Sequence, residues 1–257
     1  MESTLYKREI AFRTKSTQHY PKYKFSTLLS IKLQITKSTM LEGKSLSCQR
    51  DGRIIFKGLN FKIEAGAVLS IQGPNGSGKS SLLRMLSGFI PINQGNIVFN
   101  DKSTNIDDDF RAQHIEYIGH TNAIKNHMSA WENLVFWTEM SENKVGGFDD
   151  FLEISDIRDK FGLKCSAGQL RRISLSRLSV SKKKIWVLDE PTTSLDTKSI
   201  EAFLSMLRNH CLIGGIAIIA THLKLDLPNI NSSVITLSGK LKSINCLNDD
   251  PFLTGDW

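Results

Sequence analysis

The chain is predicted to fold as an α/β protein built on a mainly parallel sheet. Three observations carry that prediction. Short apolar runs at Gly66–Gln72, Ile97–Phe99, Ile115–Gly119, Ile185–Asp189 and Ile216–Ala220 have the length of buried strands, and helical patterns lie between them. Strands alternating with helices build a parallel sheet covered on both faces. The first run leads into Gly73-Pro74-Asn75-Gly76-Ser77-Gly78-Lys79-Ser80, a glycine-rich loop followed by the helical stretch Ser81–Leu86. Finally, 257 residues at 40 % hydrophobic content supply a sizeable core.

Residues 1–39 differ in kind from the rest of the chain. They hold eight basic and two acidic residues, which is six of the chain's seven net positive charges. A globally basic, nucleic-acid-binding surface is therefore not expected. The segment reads as a mitochondrial presequence with few arginines, as a tail near an acidic lipid surface, or as sequence upstream of a start at Met40. The last is favoured, because Met40 directly precedes an ordinary domain start. The longest strongly apolar stretch, Gly215–Ala220 flanked by Leu212-Ile213, is far short of the roughly 20 residues of a membrane span. This chain is not expected to cross a bilayer by itself. Cys48, Cys165, Cys211 and Cys246 form no CxxC pair, as in a chain with reduced thiols.

Past residue 40 the elements come in order. Val68–Ile71 is a buried strand feeding the loop 73–80. In such a loop, backbone N–H groups and a helix N-terminus converge on phosphates. Lys79 reaches the β- and γ-phosphates, Ser80 holds Mg²⁺, and Ser81 continues the site. The stretch from Asn122 to Cys165 breaks the alternation and reads as helical, over Ala130–Met140 and Phe148–Ile154 around a Gly146-Gly147 turn. Ile185–Leu188 ends in Asp189 and Glu190, a buried strand delivering two carboxylates. Asp189 suits Mg²⁺, and Glu190 suits a general base acting on water. Ile200, Phe203, Leu204 and Leu207 have the spacing of one buried helix face.

Ser166-Ala167-Gly168-Gln169, followed by Leu170-Arg171-Arg172, lies before that acidic strand. Here the chain resembles the ATP-binding cassette (ABC) family, whose signature loop usually reads LSGGQ. Ser194-Leu195-Asp196 looks like that family's D-loop, and His222 looks like its switch histidine. The resemblance covers about residues 41–225. It implies a P-loop NTPase fold with an antiparallel β edge and a helical subdomain at about 122–180, within a domain spanning 40–257. It also implies ATP and Mg²⁺ as cofactors, with Glu190, His222 and Lys79 as catalytic residues. A second copy of the chain would close over two ATPs. Ser166, Gly168, Gln169 and Asp196 would then act in trans.

Three departures resemble one branch, the ATP-binding subunit of the cytochrome c maturation haem exporter (CcmA type). His120, in Tyr117-Ile118-Gly119-His120, stands where most members carry a glutamine that reaches the metal. Ala167 replaces a signature glycine. Arg50 stands where an aromatic usually stacks on adenine, as a guanidinium also can. The branch implies an integral membrane subunit of the exporter (CcmB type) as partner, and membrane association only through it. The expected place is the cytoplasmic face of the bacterial inner membrane, or else the matrix face of the mitochondrial one. A cassette ATPase for another exported substrate, and a nucleic-acid-acting cassette ATPase, are the competing functions. The second needs coiled coils, zinc modules or fused cassettes that this sequence does not contain.

Overall fold

The computed structural model describes residues 40–50, 52–104, 106–140 and 150–238. The basic segment 1–39, Asp51, the Gly146-Gly147 turn and Cys246 lie outside the described residues. In chain order the strands are β1 (Met40–Arg50), β2 (Arg53–Glu64), β3 (Ala67–Gln72), β4 (Gln94–Phe99), β5 (Lys102–Thr104), β6 (Ile115–Ile118), β7 (Ile185–Asp189), β8 (Ile216–Ala220) and β9 (Asn231–Thr236). The helices are α1 (Lys79–Leu86), α2 (Asp108–His114), α3 (Ala130–Met140), α4 (Ala167–Val180) and α5 (Thr197–Leu212).

Two sheets result. Strands β2-β1-β4-β5 form an antiparallel sheet, and β6-β7-β8-β3-β9 form a sheet whose pairs are all parallel. The run Ile97–Phe99 thus belongs to the antiparallel sheet. β7 and β8 are buried along their whole length, as expected when both faces are covered. Alternation sorts their side chains. Ile185, Val187, Ile216 and Ile218 join Leu69, Ile71 and the α1 residues Leu82, Leu83 and Leu86 in one core layer. Trp186, Leu188, Ala217 and Ile219 join Phe203, Met206 and Leu207 of α5 and Ile173, Leu175 and Leu178 of α4 in the other.

Parallel pairing places all strand C-termini at one edge. Ile71 and Asp189 both pair with Ala220, and Ile118 pairs with Leu188. The segments beyond them, beginning at Gly73, Gly119, Glu190 and Thr221, therefore emerge side by side. This is the edge at which open α/β sheets bind ligands.

Two local expectations are corrected. The helix expected over Phe148–Ile154 is not formed by its described residues. Asp150–Glu153 is irregular and leads into a short 3₁₀ turn, Ile154–Ile157. The Asp150 carboxylate accepts from Ile154 N (2.6 Å) and Ser155 N (3.0 Å), and Glu153 has φ 52°. Local side-chain bonding of this kind competes with helix formation. On α5 the buried face is Ser199, Phe203, Met206, Leu207, His210 and Cys211, so Ile200 and Leu204 sit at its margin, half-buried.

His210 is a buried residue of the core. Its ring stacks on Trp186 with centroids 3.8 Å apart and planes 10° from parallel, and its Nε2 lies 3.2 Å from Ile216 O. Burial pushes its pKa down to about 4 from an ordinary 6.5. Between those values the unfolded chain binds the proton that the folded chain refuses. Stability from this group is thus full above pH 6.5 and falls as the pH drops toward 4, by about 3 kcal/mol at most. His210→Phe keeps a ring on Trp186 and cannot be protonated. Its melting temperature should fall less between pH 7 and pH 4.5 than that of the parent chain, and an equal fall would assign the acid sensitivity to other groups.

Candidate functional site

The glycine-rich loop joins β3 to α1. Gly78 caps α1 in the left-handed region at φ 98°, and Gly73 has φ 146°. Space is as tight as conformation: a Cβ on Gly73 would overlap Leu237 O, and one on Gly78 would overlap the Ile55 side chain of β2. The antiparallel sheet thus packs against the end of the loop. Lys79 is buried, and its Nζ donates to Gly73 O (2.8 Å) and Pro74 O (3.2 Å). Ser77 N closes a turn on Pro74 O at 3.1 Å. The Ser77 hydroxyl is buried and has no protein partner. A buried hydroxyl without a protein partner in such a loop is available to bond a ligand group.

Asp189 is 3 % exposed at the end of β7, and Glu190 follows it at the lip of the sheet. Glu190 has φ 48°, uncommon for a non-glycine residue, and its N–H donates to Ala220 O at 2.9 Å. His222 Nε2 lies 3.5 Å from Glu190 Oε1. The structure therefore brings together two residues that are 32 positions apart in sequence. His120 is exposed on the loop after β6. Arg50 is exposed at the end of β1, beside the groove that also includes Tyr117 and Gly119–Ala123.

The signature residues open α4. Ser166 Oγ accepts from Gln169 N (3.2 Å), and the Gln169 side chain accepts from Ser166 N (3.0 Å), a complete capping box. Lys160 Nζ donates to the same Gln169 oxygen at 2.7 Å. Ser166 and Ala167 are exposed, so the N-terminal end of α4 faces outward. A Cβ on Gly168 would lie 2.7 Å from Ser194 O, so only glycine lets the helix approach this loop so closely. Asp196 caps α5 by accepting from Ser199 N at 2.8 Å, and that bonding holds its carboxyl below the usual carboxylate range. Signature and D-loop residues are neighbours here, through the approach of Gly168 to Ser194 O.

Arg171 follows the signature but received no role from the motif reading. It is 3 % exposed, and its guanidinium bonds two segments of the site, 119–122 and 189–191. The available signal was periodicity: Arg171 precedes the buried Ser174, Leu175 and Leu178 by helical intervals, so it lies on the inward face of α4.

A phosphate loop, an acidic strand end and an outward-facing signature on one parallel sheet define a P-loop ATPase of the cassette class. The comparisons agree. The ABC transporter family model matches residues 56–193. The cytochrome c biogenesis ATP-binding export protein CcmA of Dechloromonas aromatica is 40 % identical over 195 residues, 74 % of this chain and 95 % of that protein. The protein of the same name from Tatumella citrea is 37 % identical over 191 residues, 74 % of this chain and 91 % of the other. The chain belongs to the ABC transporter family, as an ATPase subunit of the transport-coupled kind. Among solved structures, a putative ABC transporter ATP-binding protein from Pyrococcus furiosus superposes with a TM-score of 0.66 at 25 % identity, covering 77 % of this chain and 97 % of that one. A dimeric cassette in a post-hydrolysis state with ADP and Pi gives a TM-score of 0.64 at 21 % identity, over 77 % and 94 %, and supports the fold.

Proposed function

We propose that the chain is the ATP-hydrolysing subunit of an exporter that serves haem delivery in c-type cytochrome biogenesis. The observation that carries this reading is the relatives: proteins matching at 33–40 % identity over nearly their whole length share the name cytochrome c biogenesis ATP-binding export protein. His120 and Ala167, the branch-like departures from the general cassette pattern, support it.

In this reading Gly73–Ser81 hold the triphosphate, with Ser77 Oγ and the α1 N-terminus offering donors to its oxygens. Ser80 Oγ and the Asp189 carboxylate are hard oxygen ligands that suit Mg²⁺ alongside phosphate oxygens. Mg²⁺ supplies charge neutralisation at the β- and γ-phosphates when bound. His120 belongs to the loop that lies beside them, and Arg50 is the adenine-side candidate. Glu190 takes a proton from the attacking water, and His222 lies next to that carboxylate. The exposed signature of one copy completes the site of a second, through Ser166, Gly168 and Gln169, with Asp196 at the junction. The cassette extends over 40–257, with 122–180 as its helical subdomain. An integral membrane subunit of the CcmB type is the docking partner. That partner holds the protein at the cytoplasmic face of the bacterial inner membrane. No helix among the described residues is long and apolar enough to cross a membrane.

The test is complementation. In bacteria deleted for their own CcmA-type gene, this chain should restore covalently haem-bearing cytochromes c on a haem-stained gel, and Glu190→Gln should not. An expressed, ATPase-active chain that restores none would assign another exported substrate.

A further inference from the structure

Arg171 makes five side-chain hydrogen bonds. Its Nε donates to Pro191 O (3.0 Å), and its Nη2 to Asp189 O (2.9 Å) and Glu190 O (2.8 Å). Its Nη1 donates to Gly119 O (2.9 Å) and Asn122 Oδ1 (3.0 Å). All five N–H groups of the fork are used. Four of the acceptors are backbone carbonyls, so the cation grips chain rather than side chain.

The three consecutive carbonyls it holds belong to the segment that aims the Glu190 carboxylate. Glu190 sits at φ 48°, a conformation that persists only where the surroundings over-determine it. The surroundings are identifiable: Ala220 O takes the Glu190 N–H, while Arg171 and Thr193 N both bond the Glu190 carbonyl. At its other end Arg171 stands three residues beyond Gly168, at the start of the second turn of the signature helix. One side chain thus joins the signature end of α4, the acidic strand end and the loop after β6.

We propose that Arg171 is a positioning residue that ties the signature helix to the hydrolytic base of the same protomer. By holding the Asp189-Glu190-Pro191 backbone, it keeps the Glu190 carboxylate in the orientation that hydrolysis requires. A shift of α4 when its N-terminus meets a second copy is passed directly to Glu190 and to Gly119 and Asn122. The inference rests on Glu190 being the base. None of these five hydrogen bonds goes to Lys79 or the glycine-rich loop, so hydrolysis should depend on Arg171 more than ATP binding does. Lysine cannot replace it, because an ammonium has three donors on one point and cannot span carbonyls on two loops.

The test uses the full chain with Arg171→Lys and Arg171→Ala, read by thermal melting, ATP binding and single-turnover hydrolysis. Arg171→Lys should melt cooperatively and bind ATP within about 3-fold of the parent, with the loss confined to the rate. That loss should approach 10²-fold, roughly the cost of misplacing a catalytic group by about 1 Å. Methylguanidinium should restore part of the rate to Arg171→Ala, and none to Arg171→Ala/Glu190→Gln. Parent-like hydrolysis by Arg171→Lys, while Glu190→Gln is inactive, overturns the positioning role alone. Parent-like hydrolysis by Glu190→Gln overturns the base assignment and the positioning role with it. If ATP affinity falls in step with rate, or neither Arg171 variant folds, Arg171 is a residue of the fold and the proposal is wrong.

Discussion

Glu190→Gln should bind ATP as tightly as the parent chain and lose turnover by about 10²–10⁴-fold, the usual range for general-base assistance. The amide fills the same space, and nothing in the backbone bonding of residue 190 depends on the carboxylate. Ala220 O still receives its N–H, and Arg171 still holds its carbonyl. What is lost is an oxygen able to accept a proton from water. The contact to His222 Nε2 at 3.5 Å also changes character, since an amide carries no negative charge. At about 1.4 kcal/mol per decade, the loss corresponds to roughly 3–5 kcal/mol in the barrier. Nucleotide binding and single-turnover hydrolysis on the same preparation separate the two effects. A rate within a few-fold of the parent would remove Glu190 from the base role.

Lys79→Ala should act on the earlier step. The ammonium is buried and bonded to Gly73 O and Pro74 O, so it closes the loop, and in the proposed function it also places a charge against the phosphate oxygens. Charge-assisted hydrogen bonds contribute about 1.5–3 kcal/mol each. ATP affinity should therefore fall by about 10- to 100-fold. Melting in the absence of nucleotide should fall as well, because the bonds that close the loop on Gly73 O and Pro74 O go with the ammonium. At one ATP concentration the parent should gain more thermal stability than the variant does, as ligand linkage requires. Unchanged ATP affinity would mean that the phosphates bind elsewhere.

The legible parts of this chain were those in which chemistry is written in consecutive residues. The phosphate loop, the strand ending in Asp189-Glu190, the signature Ser166–Gln169 and His222 each need only a few neighbours and a strand or helix on either side. Their spacing also supported the cassette resemblance. The apolar runs 185–188 and 216–220 read as buried strands because full burial on both faces removes the polar alternation of a surface strand. Local competition was harder to see. Phe148–Ile154 has enough apolar residues for a helix, but Asp150 bonds the backbone of Ile154 and Ser155 and turns the chain instead.

The amino-acid sequence by itself determined the α/β class, the glycine-rich loop between strand and helix, the acid pair at a strand end and the membership of a cassette family. Each of those is set by short-range pattern and backbone geometry. Only the tertiary structure decided which groups act together. Parallel pairing of β3, β8 and β7 aligns Ile71, Ala220 and Asp189, and so sets His222 beside Glu190. Packing of α4 against β7 and the loop after β6 buries Arg171 among carbonyls 18 to 52 positions away. The stack of His210 on Trp186 arises the same way, between a helix and a strand that no local pattern pairs. Such contacts depend on where the chain returns in space, and a cation satisfied by backbone carbonyls leaves no partner residue type to find.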